Sequence, residues 1–494
     1  MPALKKNSLG VAVPLLFIAL HLLSGCGTET KTMPNVVYIL TDQWRASALG
    51  YAGDPNVKTP KLDELAAASV NFVNAVSVCP VCTPYRASLL TGRFPTSTGM
   101  TFNDIYLPSE ELCMAEIFSG AGYATAYLGK WHLDGHGRLN NVEPDRRQGF
   151  QYWKALECSH DYNDMPYYDN EDPEMKYWEG YSPFAIVKDA MDYLDKKEGA
   201  EDPFLLFVSL ATPHFPHHSA PEEYRAMYPL AEIELAPNVP EELYEKVLPE
   251  IQGYYAHCTA TDRAIGELVA HMKSKGLMEN TILVFTSDHG EMMGSHGRLP
   301  FRKQLAWEES IRIPFLVSYP GMGDKQGVEL KAPLTTPDIL PSLLGLCKIE
   351  IPSSMEGEDL SELIRNPDPE ADRAALIMNV SPFDVNWDDP PYKGIRTARY
   401  TYTVSPDGPT VLFDNEEDPW QLNNLAGNTE YEELEKDLQG KLMERLQVLG
   451  EDGLYPREHY IRKWGYHIER NNINYWSFNE GQVQVQGPGI KPGN

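Results

Sequence analysis

The most reactive arrangement in the sequence is a cysteine that precedes a proline and an arginine at the start of a predicted helix. The run Cys82–Arg86 leads to Gly92, which is predicted to stop the helix because glycine readily takes the left-handed conformation. Proline is tolerated in a first turn, where its missing N–H would have no partner, and Thr83 is predicted as the N-cap. The thiol would lie among free backbone N–H groups that favour an anion, with Arg86 close by. The run therefore predicts a nucleophile, a redox thiol or a metal ligand at position 82.

A second cysteine, Cys79, forms a Cys-x-x-Cys pair with Cys82. Such a pair before a helix suits redox chemistry or half of a zinc site. The sequence contains no second Cys-x-x-Cys and no Cys/His pair at zinc spacing, and its seven cysteines are too sparse for a disulfide scaffold. We therefore interpret Cys79 as a bystander.

Polar residues that suit metal binding and proton transfer follow four apolar runs rich in β-branched residues. In open α/β sheets, ligands bind beyond the carboxyl ends of the strands, so these side chains are predicted to meet in one crevice. The runs, each with the residues that follow it, are Val36–Leu40 with Asp42 and Gln43, Ala124–Leu128 with Lys130 and His132, Phe204–Val208 with His214, and Thr281–Phe285 with Asp288 and His289.

Carboxylates at two of these strand ends indicate a cation site. Asp42 and Asp288, with Gln43 and His289 beside them, offer mostly oxygen ligands, which hard divalent cations such as calcium prefer. A single aspartate at a strand end can instead cap a helix, so both interpretations stay open for each residue taken alone.

The elements that must position these residues alternate between apolar runs and helical stretches, which predicts an α/β fold. We expect a large, mixed, mostly parallel sheet sandwiched by helices. Predicted helices include Gly253–Leu277, Pro337–Leu346 and Glu430–Leu449.

A smaller C-terminal α+β subdomain with a short antiparallel sheet is predicted after this sheet. Arg399–Val404 and Thr410–Phe413 flank a turn and indicate a hairpin. We place the catalytic domain at residues 34–367, the C-terminal subdomain at 368–485 and a flexible tail at 486–494.

The N-terminus has the pattern of an export signal. Two lysines precede the apolar stretch Val11–Leu23, which is too short for a comfortable membrane span. It ends in small residues and Cys26, as in a bacterial lipobox, so residues 1–26 are predicted as a lipoprotein signal peptide and 27–33 as a tether. Lipid on Cys26 would anchor the protein to a membrane without crossing it, in the periplasm or at the outer membrane of a Gram-negative bacterium. The alternative is an ordinary secretory signal with a chance cysteine.

Composition excludes some partners. The 494 residues include 42 Lys and Arg against 71 Asp and Glu, a formal charge of -29 at pH 7. That balance argues against nucleic acid and against a basic membrane-binding surface. It also opposes an anionic substrate at long range, so a site for such a substrate would have to be locally positive.

The cysteine run resembles the signature of the type I, formylglycine-dependent sulfatases of the alkaline-phosphatase-like superfamily. Cys82–Arg93 matches the pattern Cys-x-Pro-x-Arg followed by Leu-x-Gly-Arg, and Gly122–His132 is similar to the second sulfatase signature. The resemblance extends from Pro34 to Ala426 and includes exported bacterial carbohydrate sulfatases. It implies an alkaline-phosphatase-like fold and hydrolysis of sulfate esters.

The resemblance also implies a cofactor, a maturation partner and a set of site residues. In this family the cysteine is oxidised to formylglycine (3-oxoalanine) by a formylglycine-generating enzyme, and one Ca²⁺ ion is bound. Where the family has a second aspartate this chain has Gln43, which keeps an oxygen donor and removes one negative charge. The implied catalytic residues are Cys82, Arg86, Lys130, His132, His214 and Lys303, and the implied metal ligands are Asp42, Gln43, Asp288, His289 and Cys82.

A mechanism follows from the resemblance as a hypothesis. A hydroxyl of the hydrated aldehyde, acidified by calcium, attacks sulfur and gives a covalent sulfated intermediate. Lys130, Arg86 and Lys303 offset charge on the transferring group. His214, with Lys303, protonates the departing sugar oxygen, and His132 takes the proton of the second hydroxyl as sulfate leaves.

Sugar specificity is expected in rim loops, above all the aromatic-rich stretch Trp153–Tyr168. By analogy with glycan-foraging sulfatases, we expect a sulfated sugar of mucin or glycosaminoglycan type. The alternatives are a phosphonate or phosphate monoester hydrolase on the same scaffold and a non-catalytic lipoprotein that binds glycans. The predicted substrate contacts are His160 and Asp161, and the weaker candidates are His136, Arg138, His217, His218, Trp387 and Asp388.

Overall fold

The structure is a computed structural model of the chain. It describes residues 33–466, apart from residues 171, 384, 385, 387 and 452, together with Pro2 and two short strands near the C-terminus. Contacts divide the chain between Thr32 and Met33, and all described helices and strands belong to the second unit, Met33–Asn494. The predicted signal peptide, Cys26, most of the tether, Trp387 and residues 487–494 of the predicted tail lie outside the described residues.

The strands are numbered in chain order. They are β1 Asn35–Asp42, β2 Val70–Phe72, β3 Ala75–Val76, β4 Ala124–Lys130, β5 Tyr152–Leu156, β6 Pro166–Asp169, β7 Lys176–Tyr177, β8 Phe204–Pro213, β9 Thr281–Ser287, β10 Phe315–Ser318, β11 Val328–Leu330, β12 Leu334–Thr335, β13 Ala375–Asn379, β14 Tyr392–Arg396, β15 Tyr400–Ser405, β16 Gly408–Asp414, β17 Asn474–Ser477 and β18 Val483–Gln486.

The helices are numbered in the same way. Among the described residues, no helix is both long enough and apolar enough to cross a membrane. The helices are α1 Pro60–Ala66, α2 Cys82–Thr91, α3 Pro95–Thr98, α4 Met114–Gly120, α5 Ser182–Lys196, α6 Glu222–Arg225, α7 Tyr244–Ser274, α8 Glu308–Ile311, α9 Thr336–Cys347, α10 Ser361–Arg365, α11 Glu432–Val448 and α12 Arg457–Lys463.

Ten strands form one sheet in the order β11-β2-β10-β9-β1-β8-β4-β5-β6-β7. Its centre, from β9 to β5, is parallel, whereas β10 and β6 run antiparallel to β9 and β5. Strands β8 and β9 are buried along their whole length, as expected for a sheet covered on both faces. The predicted α/β class and the mixed, mostly parallel sheet are confirmed.

Helices cover both faces of this sheet, and each face has its own apolar core. Successive residues of a strand point to opposite faces. Tyr38 and Leu40 of β1 belong to the core that includes residues of α2, α4 and α9, whereas Val37 and Ile39 belong to the core with α1, α5 and α7. Strand β1 is therefore fixed from both sides, and its last residue enters the site with little freedom.

A four-stranded antiparallel sheet, β13-β14-β15-β16, follows near the C-terminus. The predicted hairpin is its β15–β16 pair, and Gly408 at the turn has a φ of 123°, which glycine tolerates. Helix α11 buries Leu438, Leu442 and Leu446, four residues apart on one stripe. The small antiparallel sheet is confirmed, and the division at residue 368 stays a prediction.

Two helices begin earlier than predicted. Helix α2 starts at Cys82 after an extended Val81, and the Thr83 hydroxyl donates to the His132 carbonyl at 2.9 Å instead of capping the helix. Helix α7 starts at Tyr244, and Pro249 within it obscures the start in the sequence. The earlier start of α2 places the thiol directly on its first turn.

Candidate active site

The adjacent strands β9, β1, β8 and β4 end at one edge of the sheet and deliver the predicted residues to one buried cluster. Asp42 is the last residue of β1 and pairs in register with Pro213, the last residue of β8. Asp288 follows β9 directly, and Lys130 ends β4. The crevice predicted at the carboxyl ends of the strands is therefore present.

Two buried cations bind the carboxylates of this cluster. Nη2 of Arg86, on α2, lies 3.3 Å from Oδ2 of Asp42 and 3.2 Å from Oδ2 of Asp288. Nη1 of the same guanidinium donates to Oγ of Ser209 at 2.8 Å. Nζ of Lys130 lies 2.6 Å from Oδ2 of Asp42. These contacts fix the α2 side of the site against the strand ends.

The two carboxylates have opposite pKa shifts. Burial opposes the charge of Asp42, but Lys130, Arg86 and His289 hold the pKa of Asp42 well below its ordinary value. Burial and then the negative charge of Asp42 raise the pKa of Asp288. The protein charges alone thus leave Asp288 less well compensated than Asp42, and an added cation would favour its charged form.

The Cys82 thiol lies at the centre of the cluster, with its Sγ 3.2 Å from Nε2 of His289 and 3.3 Å from Nζ of Lys303. Burial and the Asp42 charge raise the pKa of this thiol, but Lys130, Lys303 and His289 outweigh them and bring it well below its ordinary value. An anion is favoured at this position, as the helix start predicts.

Four residues offer ligand atoms that could hold one metal ion. The carboxylates of Asp42 and Asp288, the imidazole of His289 and the Cys82 sulfur have ligand atoms within 4.8 Å of one another, all of them buried. Nδ1 of His289 donates to the Gly290 carbonyl at 2.9 Å, so Nε2 is the ring atom that faces the cluster and could bind a metal ion. The donor set and the incompletely compensated charge of Asp288 fit a divalent cation.

Both the backbone and the side chain of Gln43 form hydrogen bonds within the site. It has a φ of 66°, and its N–H donates to Oδ1 of Asp288 at 3.0 Å. Its side-chain oxygen accepts from Lys303 at 3.1 Å, and its amide nitrogen donates to Glu291. Sequence reasoning missed Glu291, although its position two residues after His289 was a signal. The amide oxygen of Gln43 faces the cluster, and its role as a metal ligand stays a prediction.

His132 is held by a carboxylate that sequence reasoning also missed. Its Nε2 donates to Oδ1 of Asp104 at 3.1 Å, and Arg138 donates to both oxygens of Asp104 at 2.7 and 2.9 Å. Burial and the Lys130 charge oppose the charge of His132, but the Cys158 thiolate and hydrogen bonds to Asp104 and Cys82 raise the pKa of His132 to about 9. Asp104 lies in an irregular segment 28 residues before His132, so no local sequence pattern predicts their contact.

His214 lies on the other side of the thiol and has the opposite environment. Its Nδ1 donates to the Phe215 carbonyl at 2.8 Å, so Nε2 faces Nζ of Lys303 at 3.4 Å as an acceptor. Burial and then the Lys303 charge hold the pKa of His214 well below its ordinary value. His214 is therefore a neutral acceptor in this structure, and Lys303 carries the proton between them.

Four of the predicted sugar contacts lie in different environments, and they do not form one cluster. His160 stacks on His214 with ring centroids 4.5 Å apart, so it borders the cluster. Asp161 is exposed; its N–H donates to Oγ of Ser159, and its Oδ1 accepts from the Asp164 N–H. Nδ1 of His136 donates to the Asp134 carbonyl. His217 is fully buried and bonded to Glu250. Only His160 among the four contacts a catalytic candidate, and the substrate roles of all four stay predictions.

The stretch predicted as one rim loop, Trp153–Tyr168, is partly sheet. Its first residues belong to β5, where Trp153 is buried and stacks on Tyr127, and its last residues belong to β6. Glu157 follows β5 and accepts the N–H groups of residues 133–135 at 2.8 to 3.1 Å. The sequence signal was the alternation of apolar and polar residues at 153–155, which is typical of a strand and places Glu157 at its end. This carboxylate shapes the loop that carries His132.

All six cysteines that the structure describes are free, buried thiols. Burial raises the pKa of Cys79, as expected for an inert core residue, which agrees with its interpretation as a bystander. Cys158 differs: Lys130, His132 and Arg138 outweigh burial and lower its pKa. The cationic character of the site therefore extends beyond Cys82 to this second thiol.

Comparisons with known proteins agree with this geometry. Residues 34–349 match the family model "Sulfatase", and residues 294–448 match "N-sulphoglucosamine sulphohydrolase, C-terminal". The chain is 58% identical to an ulvan-active sulfatase of Formosa agariphila, over 96% of this chain and 95% of that protein. It is 32% identical to an endo-4-O-sulfatase of Bacteroides thetaiotaomicron, over 80% and 89% of the two chains.

A solved structure is also similar to this chain along most of its length. A protein from work on the metabolism of multiple glycosaminoglycans by Bacteroides thetaiotaomicron superposes with a TM-score of 0.75 and 30% identity, over 85% of this chain and 97% of that chain. Family match, relatives and site geometry agree, and the chain belongs to the sulfatase family of sulfuric ester hydrolases.

Proposed function

We propose that this protein removes sulfate esters from a carbohydrate, with a sulfated polysaccharide of ulvan or glycosaminoglycan type as its substrate. The observation that carries the reaction is the group of buried cations around Cys82: Arg86, Lys130 and Lys303. The similarity to an ulvan-active sulfatase at 58% identity supports the class of substrate.

Cys82 is proposed as the reacting residue. After conversion to formylglycine, its hydrated aldehyde supplies the hydroxyl nucleophile. Arg86, Lys130 and Lys303 bind the sulfate oxygens, and the α2 start favours their negative charge. Because the ion pairs of Arg86 and Lys130 already hold these side chains, little reorganisation is needed when substrate binds.

Asp42, Asp288 and His289 are proposed to hold one Ca²⁺ ion together with residue 82 and the Gln43 oxygen. Bound calcium supplies positive charge that polarises the sulfate group. Dialysis against a chelator is expected to abolish activity, and added Ca²⁺ is expected to restore it better than Mg²⁺ because the site mixes ligand types and is irregular. Full activity in metal-free enzyme would contradict this assignment.

Two proton pathways flank the reacting residue. Lys303 is proposed to donate the proton to the departing sugar oxygen, while the neutral Nε2 of His214 orients the ammonium. His132, fixed through its Nε2 by Asp104, presents its other ring nitrogen, Nδ1, to the residue at position 82. This assignment gives the donor role mainly to Lys303 rather than to His214.

The test is release of inorganic sulfate by enzyme that has been coexpressed with a formylglycine-generating enzyme. Ulvan, chondroitin sulfate, heparin and sulfated mucin oligosaccharides serve as substrates, and the Cys82→Ala variant is the matched control. We expect release from at least one sulfated polysaccharide and none from the variant. Mass spectrometry of the peptide around residue 82 should show the aldehyde, and an unmodified thiol in active enzyme would contradict the mechanism.

The same preparation separates the alternatives. An aryl phosphate or phosphonate turned over faster than any sulfate ester would favour the phosphoester hydrolase. Binding of sulfated glycans with no release of sulfate by aldehyde-containing, calcium-loaded enzyme would favour a glycan-binding lipoprotein.

We further propose that the chain is exported and lipid-anchored through Cys26, on the lipobox-like sequence alone. Cells expressing the full chain should incorporate labelled palmitate into the protein and retain it in membranes. Cys26→Ala should lose the label, and an unlabelled, released wild-type protein would instead indicate an ordinary secretory signal.

A further inference from the structure

A second cavity opens behind the loop that carries Gln43. Its volume is about 450 Å³, and its walls come from the loop at residues 52–56, the segment 234–237, helix α8 and residues 419–420. None of the predicted catalytic or metal-binding residues lines it. The cavity is therefore separate from the site around Cys82, although Arg45 in its wall lies only two residues from Gln43 in the chain.

Arg45 is the notable residue of this wall because its buried guanidinium lies near the charges of Asp54 and Glu309 and is bonded to neither among the described residues. It is only 5% exposed, and its buried Nε has no hydrogen bond. Within the part of the chain that the structure describes, its guanidinium forms neither a side-chain hydrogen bond nor an ion pair. A buried guanidinium without an acceptor is costly, so the cavity offers strong donors to a ligand oxygen.

The carboxylates around Arg45 are already engaged elsewhere. Oδ2 of Asp54 accepts from the Tyr255 hydroxyl at 2.8 Å, Oε1 of Glu309 accepts from Asn238 at 2.6 Å, and Glu308 pairs with Arg312 at 2.8 Å. These acids keep spare lone pairs that can accept from hydroxyl groups. A cavity with a guanidinium donor and several carboxylate acceptors suits a ligand that carries many hydroxyls.

An aromatic ring stands at the mouth of the cavity. Trp420 lines it, is 40% exposed, and stacks on no other described ring. Its backbone is held, because the Trp420 carbonyl accepts from Asn238 at 3.1 Å. An exposed indole on a held backbone, beside hydrogen-bonding groups, offers a flat apolar face to a ring with one apolar side.

We propose that this cavity binds one sugar residue of the polysaccharide substrate outside the active site, with Trp420 against the sugar ring and Arg45 donating to an oxygen on it. The inference rests on the proposed function for the identity of the polysaccharide. The cavity would hold the polymer while another of its residues occupies the site around Cys82, and it would leave the reaction of a short substrate unchanged.

Binding is measured in native gels that contain ulvan, chondroitin sulfate, heparin or neutral dextran, with the Cys82→Ser protein so that no sulfate is released. Trp420→Ala and Arg45→Met are each added to this protein. Leu422→Ala is the matched control, because Leu422 is a large exposed side chain on the same loop that does not line the cavity. Thermal melting of each variant establishes that it folds, and Arg45→Lys tests for partial rescue.

We expect the sulfated polysaccharide to retard the parent protein. Trp420→Ala and Arg45→Met should each bind it roughly three- to tenfold more weakly, and Leu422→Ala should bind it as the parent does. In the Cys82 enzyme, Trp420→Ala should raise KM for the polysaccharide by a similar factor and leave kcat and the turnover of an aryl sulfate unchanged. Equal retardation of folded Trp420→Ala and parent would overturn the inference, as would a parent that no sulfated polysaccharide retards. Neither result bears on the proposed function, which the separate assay of sulfate release tests.

Discussion

The two histidines that flank Cys82 lie in opposite electrostatic surroundings. On one side, Nε2 of His132 donates to the Asp104 carboxylate, and the pKa of His132 is raised to about 9. On the other side, Nε2 of His214 faces the ammonium of Lys303, and the pKa of His214 is well below its ordinary value. Both rings are buried to a similar degree, so the charge that each ring faces decides the difference.

This difference shows that one fold can keep one histidine charged and another neutral on two sides of a single reacting residue. The His132 side stores its proton on the imidazole, and the His214 side stores it on Lys303. Groups whose environments push their pKa values apart are the ones to which acid and base roles can be assigned.

Replacing the residue between the two sides should have the largest effect. Cys82→Ala and Cys82→Ser should each lower kcat at least about 10⁴-fold, because loss of a nucleophile removes the covalent route altogether. Sulfate release is the measurement, and circular dichroism should show a native fold. Retention of a tenth of the activity in Cys82→Ala would mean that the two sides do not act on residue 82.

Removing Lys303 should disturb the His214 side and the contacts of Lys303 with Cys82 and Gln43, and should leave the His132 side unchanged. Lys303→Ala should lower kcat by roughly 10²–10⁴-fold with natural sugar esters, whose leaving groups need a proton. The loss should be smaller with an aryl sulfate, whose leaving group needs less help. NMR of labelled histidines should show the pKa of His214 rise while that of His132 stays near its wild-type value. A shift of both by the same amount would show that the two sides are not separate.

The His132 side should make stability depend on pH. The folded pKa of about 9 lies above the value of 6.5 for a free histidine, so charged His132 stabilises the fold fully below pH 6.5 and this contribution is lost as the pH rises through 9. The free energy of unfolding of the wild type should exceed that of His132→Asn by at most about 3 kcal/mol at pH 6, and by less at pH 9. Urea unfolding at pH 6.0, 7.5 and 9.0 measures this gap, and a gap that does not change would contradict a charged His132.

The smallest effect is expected at Asp104, which acts only through His132. Asp104→Asn should lower kcat roughly 10–100-fold with little change in KM, because the ring loses the partner that fixes its orientation. The same variant should lower the pKa of His132 and leave that of His214 unchanged. Asp104→Glu is the conservative control, and equal losses in both variants with unchanged histidine pKa values would indicate a merely structural role.

Residues at strand ends could be predicted from the sequence, whereas residues that hold them in place could not. Asp42, Lys130 and Asp288 each follow an apolar run, and a parallel sheet brings such positions to one edge regardless of sequence distance. Asp104 reaches the site from an irregular segment whose path depends on tertiary contacts. The Arg45 cavity is likewise assembled from several separate loops, none of which carries a pattern of its own.

The wrong start predicted for α2 also has a tertiary cause. The hydroxyl of Thr83 was expected to cap α2, and in the fold it binds the His132 carbonyl, a competing acceptor that only the tertiary structure provides. The strand β1, by contrast, could be predicted because its apolar run Val36–Leu40 is a pattern of neighbours in the chain.

The contact between Gln43 and Glu291 has a consequence for the charge count of the pocket. The family pattern has an aspartate at position 43, and this chain has a neutral amide there whose nitrogen donates to the buried Glu291. A carboxylate at position 43 would face that glutamate at contact distance, and two adjacent buried anions are strongly disfavoured. A cation held by residues 42, 43 and 288 would therefore meet two carboxylates and one neutral amide oxygen, where the family pattern would give it three carboxylates.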